Sequence, residues 1–378
     1  MKSQVALVRC RDYNQEEVYR AVREAVGLIG GIERYVKPGE KVLLKVNMLA
    51  PANPERAITT HPSIVRAMIE LVKEADGRPL IGDCPGFEGQ PNIGLYSSIC
   101  SKTGIKEVAE EGGAEIVHLS SESCEVENPQ GYAFKRFTLA KSVAECVISL
   151  PKLKTHQLTL FTGAVKNNFG LIPGKLKREW HLRLIRPEDF SQMLVDLLAC
   201  IKPRLVVMDG VVGMEGEGPR GGRPREIGAL IASSDPVAVD AIACAIVGIP
   251  PLEVPTTRLA NEQGLGIGDL SRIEVLGKKI EEMRVEGFKR PLGAEIYFRI
   301  PRPFMRLMRK LLTARPVVDE KRCKRCLVCV EHCPPGAISM DKRHPLIDYE
   351  KCIMCYCCHE LCPNDAIYLS RFTLQVLR

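Results

Sequence analysis

From residue 1 to residue 280, short runs of continuous apolar character alternate with longer segments whose apolar positions recur every three or four residues. The runs at 5–8, 41–46, 79–82, 115–117, 146–150, 205–208 and 229–232 read as strands buried on both faces. The helical spacing predicts helices over 16–28, 62–72, 106–111, 187–201 and 236–247, with Thr60 ahead of Pro62 as the expected cap of the second. Alternation of this kind predicts an α/β body over residues 1–290, its mostly parallel sheet covered by helices on both faces.

The pattern breaks after residue 290. Pro291, Pro301, Pro303 and Pro316 punctuate the chain, and between 299 and 315 several Lys and Arg residues occur without an acid. Phe304, Leu307, Met308, Leu311 and Leu312 fall at helical spacing, so residues 291–315 read as a basic linker helix. Its apolar face would pack on the body, or meet a partner or a membrane surface. Residues 316–378 form a third unit, built as an internal repeat. Laying its second half over its first superimposes Asp348 on Asp319, Cys352 on Cys323, Glu360 on Glu331, Pro363 on Pro334 and Ile367 on Ile338. Each half reads as a strand, a loop and a returning strand, which predicts a small α+β fold.

The repeat carries Cys323-x-x-Cys326-x-x-Cys329-x-x-x-Cys333-Pro334 and Cys352-x-x-Cys355-x-x-Cys358-x-x-x-Cys362-Pro363. This is the bacterial ferredoxin spacing for two [4Fe–4S] clusters, in which the fourth Cys of each run ligates the cluster of the other. One cluster is expected on Cys323, Cys326, Cys329 and Cys362, the other on Cys352, Cys355, Cys358 and Cys333. Neither half could bury enough apolar surface alone, so metal binding would supply folding free energy. Cys357 breaks the repeat and is expected to flank a cluster without ligating it. Structural zinc would use four ligands in two pairs with a long gap, and a disulfide framework suits a short secreted chain. Residues 316–370 resemble the two-cluster bacterial ferredoxin family with every ligand of its motif present.

Residues 1–4 lead into a strand without an apolar leader, and no apolar run reaches the ~18 residues of a membrane span. With further scattered cysteines in mostly apolar contexts, a reducing, cytoplasmic setting is expected, without a transmembrane segment. The net charge of +7 is modest, and no stacking aromatics accompany the basic tract, so nucleic acid is not an expected partner.

In parallel sheets, ligands collect at the carboxyl ends of the strands. The predicted strands run into Lys45-Val46-Asn47, Asp83-Cys84-Pro85, Lys152-Leu153-Lys154-Thr155-His156, Asp209-Gly210 and Asp235-Pro236. If every strand is parallel, these segments build one cleft, with Lys45, Asn47, Lys152, Lys154 and His156 set against Asp83, Asp209 and Asp235. Each acid also has a local reading: Asp235 as a helix cap, Asp83 and Asp209 as turn residues. Lys166, Asn167 and Asn168 interrupt an apolar, Gly-punctuated stretch as the lining of a pocket would, and lysines with amides suit a small anion. Neither a dinucleotide-binding nor a P-loop pattern is present. Glu215 and Glu217, in a glycine-rich loop, could hold a metal or keep the loop soluble.

The blocks Lys45-Val46-Asn47, Gly82-Asp83-Cys84-Pro85-Gly86, Pro151 to His156, Gly163 to Gly170, Met208-Asp209-Gly210 and Asp235 to Asp240 resemble those of the prokaryotic family called domain of unknown function 362. Members of that family often carry a C-terminal two-cluster ferredoxin module, and this chain departs from its usual pattern at Val46 and Cys84. The resemblance implies architecture and assigns no chemistry. The expectation is a ferredoxin-coupled oxidoreductase exchanging electrons with a soluble partner protein. Lys152, Lys154, Lys166 and Asn167 would orient a small anionic substrate, and His156 or Asp83 would supply a proton. The alternatives are a non-catalytic electron-transfer subunit, or a ligand- or metal-handling protein with redox-sensing clusters.

Overall fold

The central strands form where β-branched and leucine residues run without polar interruption, and both faces of these runs are buried. The computed structural model describes residues 2–85, 93–141, 146–184, 186–291 and 314–370, without the side chains of 93–95 and 175. In the body the strands are β1 (Ser3–Arg9), β2 (Lys41–Lys45), β3 (Arg78–Asp83), β4 (Glu115–His118), β5 (Ser123–Glu127), β6 (Arg136–Ala140), β7 (Cys146–Ser149), β8 (Lys152–His156), β9 (Leu160–Thr162), β10 (Leu205–Glu215), β11 (Arg223–Ser233) and β12 (Ile273–Gly277). The body helices are α1 (Gln15–Leu28), α2 (Pro62–Glu74), α3 (Ile93–Lys102), α4 (Ile105–Gly112), α5 (Ala164–Asn167), α6 (Gly174–Arg183), α7 (Pro187–Ile201), α8 (Pro236–Ile246) and α9 (Pro255–Glu262).

The main sheet runs β12-β1-β11-β10-β7-β2-β3-β4, with β8 paired to β10 and β9 to β8. Its pairs are parallel except for β1–β11, β10–β11 and β8–β9. On one face Val18, Val22 and Val26 of α1 and Ile64, Met68 and Leu71 of α2 bury with Val42, Leu44 and Ile81. On the other, Val239, Ile242 and Ile246 of α8 pack on Val5, Leu7, Met208 and Ile231. The hairpin β5–β6 pairs apart from the main sheet.

Two local features differ from expectation. The cap of α2 is His61, whose Nδ1 accepts from Ser63 N at 3.2 Å. Thr60 instead ties strand ends together: its hydroxyl donates to Leu150 O at 2.6 Å and accepts from Asn47 N at 2.9 Å. The segment 152–156, expected to follow the end of the strand at 146–150, itself forms β8 because it finds β10 as a parallel partner, with Lys152 opposite Asp209 and Lys154 opposite Met214.

The C-terminal unit is laid out by its repeat. β13 (Arg315–Val318) and β16 (Ile367–Ser370) pair antiparallel, as do β14 (Ile338–Met340) and β15 (Pro345–Ile347), with short helices α10 (Val328–Glu331) and α11 (Cys357–Leu361) between. Arg325 and Leu327 adopt left-handed backbone at φ 54° and 63°, and their counterparts in the second half, Met354 and Tyr356, do the same at 54° and 62°. Such residues are costly unless the surroundings hold them, and here both halves bend their cysteine loops in the same way. The expected linker helix lies outside the described residues, apart from its ends. Arg315 of that stretch belongs to β13 and lies over the Tyr349 ring at 5.2 Å.

Candidate functional site

In the C-terminal unit one cavity is lined by Cys323, Cys326, Cys329 and Cys362 together with Val318, Leu327, Pro363 and Ile367. Three thiols come from the first run and one from the second. Cys329, Cys333, Cys358 and Cys362 are buried among Ala337, Ile338, Ala366 and Ile367, so the thiols themselves occupy the centre of the unit. Among the described residues no three His, Cys, Asp or Glu side chains gather to hold a single ion; the four thiols frame a wider space. Burial, and then the charges of Cys362, Cys326 and Cys323, push the Cys329 thiol up to about 11. Thiolates so placed need a metal to hold them deprotonated, which an iron–sulfur cluster supplies. Backbone N–H groups of Ala337 and Ala366 donate to the sulfurs of Cys333 and Cys362, each at 3.2 Å. The thiols of Cys352 and Cys358 are raised by burial and then by the charges of Cys355 and Cys333 among others. Cys357, close after Cys355 in the chain, is buried with Leu361 in the body's core.

The body's predicted site residues divide into two groups. The first is a pair of closed ion pairs. Lys45 Nζ lies 3.0 Å from Asp83 Oδ1, and both side chains are buried. Asp83 also accepts from Met48 N at 2.5 Å and Cys84 N at 2.7 Å, while Lys45 donates to Val46 O and to Asn167 Oδ1 at 3.3 Å. Asn167 Nδ2 donates back to Lys45 O and to Ser149 Oγ. A Cβ on Gly170 would overlap Asp83 and the Lys45 ammonium, so only glycine fits against this pair. Lys152 Nζ lies 2.8 Å from Asp209 Oδ2 and 2.6 Å from the Tyr13 hydroxyl. Asp209 takes further bonds from Tyr13 OH at 2.8 Å and His61 N at 2.9 Å. Burial pushes the ammonium groups of Lys45 and Lys152 down, and their carboxylate partners oppose it. These four residues hold the strand ends together and are committed to one another.

The second group lacks such closed pairs among the described residues. Lys154 Nζ donates to neutral acceptors, Asn47 Oδ1 at 2.6 Å and Ile58 O at 2.7 Å. Burial and then the charge of Lys166 push it down to about 7. The ammonium of Lys166, half-buried, is lowered by burial and feels Glu360 as its main opposing charge. Asn168 is fully buried, yet neither atom of its amide has a partner among the described residues. His156 Nδ1 accepts from Leu158 N and Thr159 N at 3.1 and 3.2 Å, which leaves Nε2 to carry the proton. Burial holds this ring neutral, at about 4. Nε2 lies 3.2 Å from Glu360 Oε1, and neither atom has another partner among the described residues. Burial alone would raise the Glu360 carboxyl, but His156, Lys166 and His181 outweigh it and hold it at about 2.

Glu360 belongs to α11, between Cys358 and Cys362, so the iron–sulfur unit closes over this group of residues. The body's hold on that unit extends to Arg178 Nη1, which donates to Glu331 O at 2.8 Å. Lys177 donates to Cys84 O and lies over Phe169 at 5.5 Å. Glu215 accepts from Lys289 N at 3.1 Å, and Glu217 from Gln157.

Asp235 does not join. β11 returns from β10 through the glycine-rich loop as an antiparallel strand, placing Ser233 opposite Val206 at the start of β10. The end of β11 therefore lies at the rim opposite the carboxyl ends of the parallel strands. There Asp235 caps α8 through Val237 N and Ala238 N and accepts from Ile267 N. Glu360, His181 and the stacked pair Tyr13–His61 were not singled out from sequence. Glu360 alone carries a signal in the sequence, as an acid set among the cysteines of the repeat.

The His61 ring stacks on Tyr13 at 3.5 Å, and burial pushes it down to about 4. An unfolded imidazole titrates at about 6.5. The unfolded chain therefore binds the extra proton between these values, and stability is lost as pH falls from about 6.5 towards 4. His61→Asn, which keeps a capping acceptor, is expected to flatten the slope of melting temperature against pH in that window, with His156 and His181 supplying the remainder. An unchanged slope would refute the assignment.

Comparison with known proteins places these features in two families. The family model described as Domain of unknown function (DUF362) matches residues 42–245, and that of a 4Fe-4S dicluster domain matches residues 315–363. The thylakoid-associated protein sll1697 of Synechocystis sp. (strain ATCC 27184 / PCC 6803 / Kazusa) is 35% identical over 273 residues, 71% of this chain and 81% of that protein. Among the described residues no helix is long and apolar enough to cross a membrane.

Proposed function

The chain belongs to the DUF362 family and carries an iron–sulfur electron-transfer unit, and from that premise we propose that it is an oxidoreductase acting on a small anion in the cleft that this unit closes over. Two [4Fe–4S] clusters on the crossed thiol sets would supply one-electron transfer. Cys326 is exposed, whereas Cys357, next to Cys358 in the chain, is buried in the body's core. In this reading a soluble, cytoplasmic partner meets the Cys326 side, and electrons leave towards the cleft from the Cys358 side.

The observation that carries the reading is the placement of Glu360, midway between two cluster ligands in the chain and 3.2 Å from His156 in the cleft. Near it, Lys154 and Lys166 offer ammonium groups without a bonded carboxylate among the described residues, and Asn168, two residues after Lys166, has a buried amide without a partner among them. Charge-assisted bonds from such donors suit a carboxylate. Lys154, at about 7, is the group poised to give a proton at neutral pH. It takes over the part expected of His156, which is neutral well above its own value, and of Asp83, which is committed to Lys45.

The test uses the full chain, prepared without air, with acetate, oxalate and benzoate as probes of thermal stabilisation. Lys154→Met and Lys166→Met are each expected to weaken the stabilising anion at least about tenfold, the scale of a charged hydrogen bond, with iron content unchanged. Equal stabilisation of the variants and the parent would remove the site.

A further inference from the structure

The two halves of the C-terminal repeat present different surfaces. Where the first half has Lys324, Arg325 and Leu327, the second has Ile353, Met354 and Tyr356. Tyr356 is 5% exposed, with its hydroxyl donating to Ala314 O at 3.1 Å, and Cys357 beside it lies in the body's core. Leu327 is 41% exposed. The same left-handed turns thus carry a half-buried apolar loop in one half and an exposed basic loop in the other.

We propose that the exposed face around Cys326 and Leu327 is a docking surface for an acidic electron-carrier protein. The inference deepens the function proposed above by naming the chemistry of the partner, and it rests on that reading for the side at which electrons enter. Lys321, Lys324, Arg325, Lys342 and Arg343 are exposed, and their charged groups have no ion-pair partner among the described residues. Arg322 is paired with Asp319, 3.4 Å away. Two contacts bring the turn that carries Lys342 and Arg343 to this face. His344 Nε2 lies 3.4 Å from Glu320 Oε1, and Pro345 lines the same cavity as Lys324, Cys326 and Leu327.

The nearby acids are occupied. Asp319 also accepts from Lys321 N and Arg322 N at 3.0 and 3.3 Å, and Glu320 faces His344. Like charges gathered on one face repel each other within the fold, but they speed encounter with a partner of opposite charge. Exposed Cys326 and Leu327 inside this basic border match the apolar centre and polar rim of a protein interface. A basic patch also suits an anionic bilayer. The position of this one favours a carrier, because whatever docks here comes to rest against a thiol of the iron–sulfur motif.

The experiment measures association of the full, cluster-loaded chain, without air, with an acidic flavodoxin, an acidic plant-type [2Fe–2S] ferredoxin and a basic cytochrome c. Saturable binding to the acidic carriers alone is expected. Lys324→Glu with Arg325→Glu and, away from the cysteines, Lys342→Glu with Arg343→Glu should each slow that association at least about tenfold at low salt. The difference should close near 1 M salt, where the screening length is about 3 Å. Lys351→Glu, at the repeat position of Arg322, should keep the parent's rate. Parent-like rates in both double variants, binding to neither acidic carrier, or equal binding of cytochrome c would overturn the proposal. Tighter binding to phosphatidylserine vesicles than to either carrier would assign the face to a membrane instead. Stabilisation by small anions reads the cleft and association reads this face, so either assignment can fail alone.

Discussion

Replacing Cys362 with serine is expected to remove the same cluster signal as replacing Cys323, and to leave the signal that depends on Cys352 and Cys333. Iron should fall from about eight to about four per chain, one [4Fe–4S] cluster of two. The cavity that Cys362 shares with Cys323, Cys326 and Cys329 is the structural basis. The effect on stability should be large as well, because cysteines stand where an ordinary unit of this size would place leucines, and the cluster's binding energy is folding energy. EPR of the reduced variants and iron analysis give the answer. Loss of one signal by Cys362→Ser and Cys352→Ser together, with the other intact, would show that each run holds its own cluster and would end the crossed assignment.

The second large effect lies in the body. Asp83→Ala should destabilise the chain by about 3–5 kcal/mol, because it strands the Lys45 ammonium in the interior. At about 2–4 °C per kcal/mol, the melting temperature should drop by roughly 6–20 °C. The pair variant Lys45→Met with Asp83→Leu removes the stranded charge and should recover most of the loss, since well-packed apolar residues often replace a buried pair without penalty. Asp209→Ala should behave like Asp83→Ala, through Lys152. A loss below about 1 kcal/mol for Asp83→Ala, the scale of an exposed pair, would mean that Lys45 finds water or another anion, and that the pair is part of an open site after all.

These two experiments separate roles that look alike in the sequence. Lys45, Lys152, Lys154 and Lys166 all follow or interrupt apolar stretches, and all four read as candidate anion binders. Only the partner across the sheet distinguishes them: Asp83 and Asp209 close the first two, while Lys154 meets an amide and a carbonyl. The acids themselves were legible as strand-end residues, but their occupancy was not, because it depends on backbone N–H groups of Met48, Cys84 and His61 arriving from separate segments. What closes the cleft was equally hidden. Glu360 and His156 lie in different units of the chain, and no local pattern announces that α11 docks there.

The chain's own order of residues determined what short-range physics can encode: the strands and helices, from apolar periodicity; the internal repeat; and the thiol sets, from a spacing that cluster geometry demands. Tertiary packing alone decided which strand runs backwards and which charges are neutralised. β11 returns from β10 through the tight loop 216–222, without a crossover helix, and that reversal carries Asp235 to the opposite rim. Direction and pairing are settled by contacts distant in sequence, and a residue's immediate neighbours carry no record of them.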